Sequence, residues 1–286
     1  MRGATKGVKL NPMSQPAEDP AQYLKALGEA GEGPHDIAQA ALMLSLLDHP
    51  QDVLAPYRAH LDEIAHHARE DARLAASADS MARALSALMA GRYGYDGDRL
   101  AYDEPQNADL MAVIDRRRGL PVALGILYIH AARAAGCIAE GLNSPGHFLM
   151  RLTFRGGEAL LDPFNGGVML DREKLGTPPR MGGLATMAVV DSVSDTEVLL
   201  RLQNNLKQRA TQGGDHDRAL DLAKRMVLIG PRRTELWLEL ARLQEDAGSL
   251  GAAKKAYEAA LVLSRPGDAS LNEAALALHA LKRRLN

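Results

Sequence analysis

A histidine and an aspartate mark the two ends of a predicted β-hairpin in the middle of the chain. His147 begins one extended apolar segment, Asp162 ends the next, and Arg155-Gly156-Gly157-Glu158 supplies the turn between them. Because antiparallel pairing across a short turn brings the two ends together, we expect the imidazole and the carboxylate to be neighbours. Such a pair is the proton-handling part of a triad, in which the carboxylate orients the ring and the ring activates a thiol or hydroxyl. The pattern therefore indicates acyl or amide chemistry as one hypothesis.

A structural interpretation of the same two residues stays open. A histidine beside Pro-Gly at the start of a strand is often a partly buried structural residue. An aspartate before proline often caps a turn with its side chain. The residue types alone fit either interpretation.

The element that must position the hairpin is a predicted helix from Val122 to Ala135. Pro121 stands in the first helical turn, where its missing N–H would have no partner, and Gly136 stands where a left-handed terminator belongs. Apolar residues recur along it at three- and four-residue spacing: Leu120, Leu124, Leu127, Tyr128, Ala131 and Ala135. We therefore expect a buried helix packed on the hairpin, which is an α+β arrangement.

Three motifs follow one another along this stretch. They are Arg116-Arg117-Arg118-Gly119-Leu120-Pro121-Val122-Ala123-Leu124-Gly125, Asn143-Ser144-Pro145-Gly146-His147-Phe148-Leu149 and Asp162-Pro163-Phe164-Asn165-Gly166-Gly167. In this order and at this spacing they resemble the bacterial SirB family. Its members join a transglutaminase-like domain, an offshoot of papain-like cysteine-protease architecture, to tetratricopeptide repeats. The resemblance implies a core helix packed on a small antiparallel sheet, followed by an all-α repeat domain.

The resemblance also implies where a nucleophile would stand. Active members of the wider fold carry a cysteine at the N-terminus of the core helix, where the helix dipole favours the thiolate. The matching positions, Leu120 to Ala123, hold no nucleophile, and the single cysteine, Cys137, follows the opposite end of the helix. Sixteen residues rising about 1.5 Å each separate the two ends by roughly 24 Å. We therefore expect no triad chemistry, with His147 and Asp162 kept as a structural pair or a binding feature.

Other side chains in these motifs are binding candidates. The run Arg116-Arg117-Arg118 could present an anion site ahead of the helix N-terminus, although such a run is also typical of a solvated face. Asn165, in the third motif, could contact a ligand beside Asp162. Tyr93 and Tyr95 stand in a turn-rich connection, with Tyr102 a little further on. Because aromatic residues make up only 4% of the chain, we expect these tyrosines to line a cleft, the alternative being that they fasten loops to the core.

Metal and cofactor sites are not expected. His60, His66 and His67 lie on a predicted helix at spacings that suit no common metal site, so we expect solvated histidines. One cysteine excludes an internal disulfide and a multi-cysteine zinc site, which fits a reducing cytoplasm.

The overall composition narrows the class of protein and of partner. The 286 residues include 34 basic and 36 acidic side chains, so a net charge of −2 gives no general attraction to nucleic acid. No apolar run reaches the length of a membrane span, and the first residues lack the apolar centre of a signal peptide. We expect a cytoplasmic, soluble protein whose partners are neither nucleic acid nor membrane; its oligomeric state stays open.

Pattern changes along the chain divide it into three parts. Residues 1–34 are expected to be a disordered tail containing a short helix near Ala21 to Ala30. Residues 35–190 form the transglutaminase-like domain, beginning with a helical subdomain whose first helix follows the cap Asp36. Residues 194–286 form a helical repeat domain, opened by the capping box Ser194-Asp195-Thr196-Glu197.

The last part repeats itself with a period of about 34 residues, which is typical of tetratricopeptide repeats. Small and large residues recur at matched positions: Ala219 with Ala253, Ala223 with Tyr257, and Met226 with Ala260. Trp237 occupies the first helix of the second unit, and Ala269 to Arg284 forms a final capping helix. Paired helices of this kind present a surface that could hold a peptide or protein partner, and Trp237 is a binding candidate there.

Two functions follow as hypotheses. We favour a non-catalytic binding or adaptor protein, a transglutaminase-like domain without its nucleophile joined to repeats that hold a peptide, a protein or a second copy of the chain. The alternative is a hydrolase or transferase acting on amide or acyl bonds. It would use His147 as base and Asp162 to orient it, with water or a hydroxyl such as Ser144 as the nucleophile.

Overall fold

A computed structural model describes residues 19–144, 147–170, 191–265 and 267–285. Its first helix, α1 (Pro20–Ala30), begins at the cap Asp19 and packs on the helices α2 and α8 defined below. Leu24 is fully buried, and a Cβ at Gly28 would lie 2.0 Å from the carbonyl oxygen of Leu228. The short helix expected here is confirmed. The disordered tail expected as far as residue 34 is wrong for residues 19–34, because α1 is anchored to distant helices.

A helical layer precedes the central sheet. It consists of α2 (Ile37–Asp48), α3 (Ala55–Leu74) and α4 (Ala78–Ser86), the last continued by a π-helical turn, Ala87–Arg92. The carboxylate of Asp36 accepts a hydrogen bond from the Gln39 N–H, at 3.0 Å, so the expected cap of α2 is confirmed. The helix α2 is buried on nearly every face, as its almost continuous apolar sequence predicts.

The connection to the central helix consists of short elements, of which the sequence predicts only a helix from Ala108 to Arg117 with Asn107 as its cap. These are β1 (Asp96–Gly97), a 3₁₀ turn (Pro105–Ala108), α5 (Leu110–Arg116) and β2 (Arg118–Gly119), with β1 and β2 paired in parallel. Asp109 caps α5, since its carboxylate accepts hydrogen bonds from the N–H groups of Met111 and Ala112. Asn107, which the sequence suggested as this cap, is instead buried within the 3₁₀ turn.

The central helix, α6 (Pro121–Ala134), packs on a sheet whose described strands have the order β6-β5-β4-β3-β7. The strands are β3 (Ile138–Ser144), β4 (His147–Phe154), β5 (Gly157–Asp162), β6 (Val168–Leu170) and β7 (Ser192–Val193), each antiparallel to its neighbours. The expected hairpin is confirmed, with Arg155 and Gly156 at positive φ in a two-residue turn. The strand β3 was not expected. The sequence also predicts a helical turn over 171–175 and a loop over 177–183, both outside the described residues.

The side chain of Phe148 fixes the distance between α6 and the sheet. Its ring lies between Gly125 of α6 and Gly141 of β3, where an added Cβ would approach the ring to 2.2 Å and 2.6 Å. Phe148, Met150 and Leu152 all face α6 and are buried, as their alternation in the sequence predicts.

The described residues after 190 form consecutive helices, each packed on the next. They are α7 (Asp195–Gln212), α8 (His216–Ile229), α9 (Thr234–Asp246), α10 (Leu250–Leu263) and α11 (Ala269–Leu285). The capping box at the start of α7 is confirmed, with reciprocal hydrogen bonds between Ser194 and Glu197. Gly214 and Gly248 stand just before α8 and α10, both at positive φ, so the two helical turns share one conformation. This part of the chain is all-α.

Ion pairs join the helical C-terminal part to the rest of the molecule. Arg133 of α6 donates two hydrogen bonds to the buried Asp195 carboxylate, each 2.7 Å long. Asp48, at the end of α2, accepts hydrogen bonds from Arg218 and Arg225 of α8. Within the described residues, none of the helices has both the length and the apolar composition that crossing a bilayer requires.

Candidate functional site

The start of α6 is closed by apolar side chains. Leu120, Val122 and Ala123 are each at most 2% exposed. The Leu120 N–H donates a hydrogen bond of 2.8 Å to the carbonyl oxygen of Asn107, so the 3₁₀ turn covers the helix end. The positions at which the family resemblance places a nucleophile are therefore packed inside the fold.

Cys137 lies beyond the opposite end of α6 and is 7% exposed. Burial raises the pKa of its thiol to about 11, because an apolar surrounding disfavours the charged thiolate. At neutral pH this cysteine is a thiol in the core, remote from the start of α6.

The carboxylate of Asp162 accepts hydrogen bonds from the turn that follows β5. Its Oδ1 accepts hydrogen bonds from the N–H groups of Phe164 and Asn165, at 3.0 Å and 3.2 Å, and its Oδ2 accepts one of 2.6 Å from Asn165 Nδ2. Asp162 therefore caps this turn, and Asn165 donates to it. This arrangement agrees with the structural interpretation of an aspartate before proline.

His147 lies at the same end of the β4–β5 ladder as Asp162, but the two are not bonded. Since Met150 pairs with Leu161, Asp162 stands level with Leu149, two residues along the strand from His147. That offset is about 7 Å along the strand. The half-buried ring of His147 has no hydrogen bond to Asp162 in the described part of the chain. Ser144 pairs with His147 across the β3–β4 ladder, and its side chain lies outside the description.

Arginines of α7 cover the same end of the sheet. Arg201 donates a hydrogen bond of 2.8 Å to the carbonyl oxygen of His147, and its guanidinium lies 5.8 Å from the centre of the Phe148 ring. Burial lowers the pKa of Arg201. Arg209 stacks over Tyr102, whose ring meets Phe164 edge to face at 5.8 Å. Arg201 of α7 therefore lies against the backbone of His147, and Arg209 of the same helix lies against the tyrosine that contacts Phe164.

A bridge from Arg99 fastens the third motif to the loop before α5. Arg99 Nη2 donates hydrogen bonds to the Phe164 carbonyl oxygen at 3.0 Å and to Asn165 Oδ1 at 2.7 Å. A Cβ at Gly97 would lie 2.5 Å from the Phe164 ring, so the backbone approaches the turn closely. The third motif is therefore packed against the loop before α5.

The arginine run does not form a common anion site, because its members point to different partners. Arg116 bonds to Asp98 and to Asn107, at 2.6 Å and 2.9 Å. Arg118 is exposed and donates to the Gly94 carbonyl oxygen at 2.9 Å. The side chain of Arg117 points towards α3, where its Nη1 contacts His60 Nε2. The sequence left two arrangements open for the run, a shared anion site and a solvated face. Neither of them describes all three side chains.

Tyr93 and Tyr95 fasten their loop to α3, which is the second of the two alternatives that the sequence left open. Tyr95 is fully buried, and its hydroxyl contacts His60 Nε2 at 2.9 Å. The Tyr93 hydroxyl contacts His67 Nδ1 at 2.7 Å. The expectation of solvated histidines is therefore wrong for His60 and His67, which lie beside the buried stripe of α3. The helical spacing of His60 with the buried residues of that stripe was the signal in the sequence.

A cavity of about 520 Å³ opens between the start of α3 and the end of α5. The residues that line it are Asp52, Val53, Pro56, Tyr57, His60, Ile114, Asp115 and Arg117. Among these residues the sequence indicates only Arg117 as a binding candidate and His60 as a solvated histidine, since the residues acquire a common surface only when the two helices pack. In the described residues, no three His, Cys, Asp or Glu side chains come together as a metal site would require.

Trp237 is fixed in orientation at the start of α9. Its indole N–H donates a hydrogen bond of 2.8 Å to the carbonyl oxygen of Pro231, and the ring is partly buried against the core.

Comparison with known proteins agrees with this fold. The family model described as the transglutaminase-like superfamily matches residues 55–204, just over half of the chain. The chain is 33% identical over 159 residues to a UPF0162 protein of Xylella fastidiosa, a match covering 53% of this chain and 57% of the relative. It is 28% identical over 201 residues to a UPF0162 protein of Pseudomonas aeruginosa, covering 69% and 73%.

A eukaryotic relative matches part of the chain at lower identity. Human F-box only protein 21 is 26% identical over 175 residues, 58% of this chain and 28% of that protein. The chain spans little more than half the length of the Xylella relative. The matched family residues contain α3 to α6, the described strands β1 to β7 and the first half of α7. The chain belongs to the transglutaminase-like superfamily.

Proposed function

We propose that this protein is a non-catalytic adaptor, in which a transglutaminase-like domain without its nucleophile is coupled to tetratricopeptide-type repeats that bind a peptide or protein. The observation that carries the proposal is the buried apolar start of α6. A nucleophile there would need a free path to substrate, and Leu120, Val122 and Ala123 fill that position.

The hydrogen bonds that Asp162 accepts from its turn support the same conclusion. To orient an imidazole, its carboxylate would have to leave three hydrogen bonds of the turn after β5. A buried carboxylate that gives up such partners costs several kcal/mol unless new donors replace them. An amide or acyl hydrolase using His147 and Asp162 would therefore require a different arrangement of this turn.

The arrangement of the C-terminal helices supports the binding role. Lys207 of α7 pairs with Glu239 of α9, and Arg242 of α9 pairs with Glu273 of α11, so alternate helices lie side by side. Positions one repeat apart are buried in matched pairs: Ala219 with Ala253, Ala223 with Tyr257, and Met226 with Ala260. Stacked helix pairs of this kind typically bind extended or helical segments on the face formed by their first helices. We also place this role in the cytoplasm, where a lone buried thiol suits the reducing conditions.

Affinity capture from a cell extract tests the binding role. The bait is the full chain, run beside His147→Ala and the charge reversal Arg242→Glu, whose side chain is 55% exposed on α9. We expect a protein that is retained by the wild type and by His147→Ala but lost with Arg242→Glu. Arg69→Glu, on the exposed face of α3, is the matched control and should retain the partner. Equal retention by all four baits would count against recognition on the repeats.

A turnover assay tests the absence of catalysis. The purified chain is incubated with a glutamine-containing protein and a fluorescent primary amine, and separately with amino-acid anilides. We expect rates equal to those of the buffer and of His147→Ala. Turnover that disappears in a folded His147→Ala variant would overturn the proposal and establish the amide- or acyl-bond enzyme.

A further inference from the structure

The lining of the cavity between α3 and α5 includes an arginine whose backbone conformation is unusual. Arg117 has φ 58° and ψ 25°, the left-handed conformation, at the residue that ends α5. Glycine is the common residue at this position, since the left-handed conformation costs other residues roughly 1–2 kcal/mol. An arginine held there indicates that its side chain has a role that glycine cannot fill.

Neighbouring rings hold the guanidinium of Arg117 in place. It lies 4.8 Å from the centre of the Tyr95 ring, and its Nη1 donates to the Tyr95 hydroxyl and to His60 Nε2. Burial first, and then the charge of Arg117, lower the pKa of His60, so the imidazole is neutral near pH 7 and its Nε2 can accept. The guanidinium is thus oriented before any ligand arrives.

The remaining donors of Arg117 are available to a ligand. Within the described residues, its Nε and Nη2 have no hydrogen-bond partner, and the side chain is only partly buried where it lines the cavity. The Nε and Nη2 edge of a guanidinium binds a carboxylate through two parallel hydrogen bonds. This edge is the group most suited to anchor an anion in the cavity.

The other charged groups of the cavity are acidic. Asp52 and Asp115 are exposed at its rim, and Tyr57 donates a hydrogen bond of 2.9 Å to Asp115 Oδ2. Burial, followed by the hydrogen bond to Asp115, raises the pKa of Tyr57 to about 12, so the phenol stays a donor. A phosphate would meet two carboxylates here, and a simple cation would meet Arg117. A ligand that carries both charges fits.

Apolar side chains complete the lining. Val53 and Pro56 lie on one side of the cavity, and the buried Ile114 lies on the other. Val53 is 67% exposed, so its side chain is accessible to a ligand in the cavity. The cavity volume lies within the range of small-molecule sites.

We propose that this cavity binds a small zwitterionic carboxylate of the amino-acid type, with the carboxylate on Arg117, the ammonium group towards Asp52 and Asp115, and an apolar side chain against Val53, Pro56 and Ile114. The same chemistry is offered by a free amino acid and by a short peptide with free termini. This site is separate from the repeats, so its failure would leave the proposed adaptor function untouched.

Calorimetric titration of the full chain tests the proposal with L-leucine and with the tripeptide Gly-Gly-Leu. Saturable binding of leucine alone would assign the site to free amino acids, and tighter binding of the tripeptide would assign it to peptide termini. Leucinamide and the tripeptide amide keep everything except the carboxylate, and we expect each to bind at least tenfold more weakly than its acid. No saturable binding of either acid at millimolar concentration, or equal binding of the amides, would overturn the proposal.

Variants separate the two charged ends of the site. Arg117→Lys keeps the positive charge but cannot form two parallel hydrogen bonds to a carboxylate. We therefore expect at least tenfold weaker leucine binding. The double variant Asp52→Asn, Asp115→Asn should weaken leucine but not 4-methylpentanoate, which lacks the ammonium group. Arg69→Lys on the exposed face of α3 is the matched control and should bind as the wild type does.

Circular dichroism and urea midpoints establish that each variant is folded. A folded Arg117→Lys that binds leucine with wild-type affinity would contradict the assignment of the carboxylate. If Arg117→Lys does not fold, the double aspartate variant still decides the proposal, because both aspartates are exposed. Equal loss of leucine and 4-methylpentanoate in that variant would contradict the assignment of the ammonium group.

Discussion

Single residues set the distance between the central helix and the sheet. Phe148 fills the space that Gly125 and Gly141 leave open, and its ring is 1% exposed. A ring enclosed from both sides in this way has little freedom to move, because protein interiors are close-packed.

Replacement of Gly125 by alanine should therefore destabilise the fold, although alanine favours helices. The new Cβ would lie 2.2 Å from the Phe148 ring, and relieving that overlap should cost about 1–3 kcal/mol of unfolding free energy. Urea denaturation followed by circular dichroism measures the change. Gly251→Ala in α10 is the control, since nothing lies within 4 Å of its Cβ, and it should be neutral or stabilising by up to ~1 kcal/mol. An unchanged midpoint for Gly125→Ala would show that the ring can move aside.

The buried thiol gives a second prediction at this scale. Because burial raises the pKa of Cys137 to about 11, little thiolate exists at pH 8, and the side chain is also shielded from reagents. We expect iodoacetamide to modify the native protein at least a hundredfold more slowly than the protein in urea, as measured by mass spectrometry. Comparable rates in the two states would mean that Cys137 is accessible and that its environment is not the one described.

At the scale of elements, one ion pair fastens the start of α7 to the end of α6. The Asp195 carboxylate accepts two hydrogen bonds from Arg133 and a third, of 2.7 Å, from the N–H of His35. Three segments that are far apart in sequence therefore meet at one buried carboxylate.

Asp195→Asn should lower the unfolding free energy by about 3 kcal/mol, since removing one partner leaves the buried Arg133 contact uncompensated. Thermal or urea unfolding measures the loss. The control is Asp217→Asn, which removes an exposed aspartate from the first turn of α8 and so loses only an interaction with the helix dipole. Similar losses for the two variants would mean that the Arg133 pair adds no stability beyond the interaction of a first-turn aspartate with the helix dipole.

Elements were predictable where their signals are local. The ends of α2, α6 and α7 follow from Asp36, Pro121, Gly136 and the Ser194 capping box, whose effects act within a turn or two. The strand β3 and the paired strands β1 and β2 were missed. The strands β1 and β2 are only two residues long, so periodicity carries little trace of them. The strand β3 has the small residues Ala139 and Gly141 at buried positions, which leaves its apolar alternation weak although its partner β4 follows directly.

At the scale of the whole molecule, Asp48 links the helical layer to the C-terminal helices. Burial alone would raise the pKa of this carboxyl, but hydrogen bonds from Arg218 and Arg225 outweigh that effect and hold the pKa below its ordinary value. The stabilisation that Asp48 provides is therefore fully present above the ordinary aspartate pKa, roughly 4, and is lost as the pH falls through the lower folded value.

The stability difference between the wild type and Asp48→Asn should follow this pH dependence. We expect a constant difference of about 1–3 kcal/mol between pH 6 and 8, narrowing below about pH 4, in urea titrations at each pH. Asp62→Asn, an exposed replacement on α3, should change stability by less than ~0.5 kcal/mol throughout. A difference that stays constant down to pH 3 would contradict a lowered pKa for Asp48.

The sequence by itself determined the central helix, its hairpin, the helical C-terminal part and the absence of a nucleophile at Leu120 to Ala123. These depend on periodicity, caps and residue identity, which act over a few residues. Only the tertiary structure decided that Asp162 caps a turn, that α7 covers His147, and that Arg117 faces a cavity formed by two separate helices. The physical reason is that the partner of a charged or polar side chain is chosen by packing between elements distant in sequence, and short-range patterns do not record that choice.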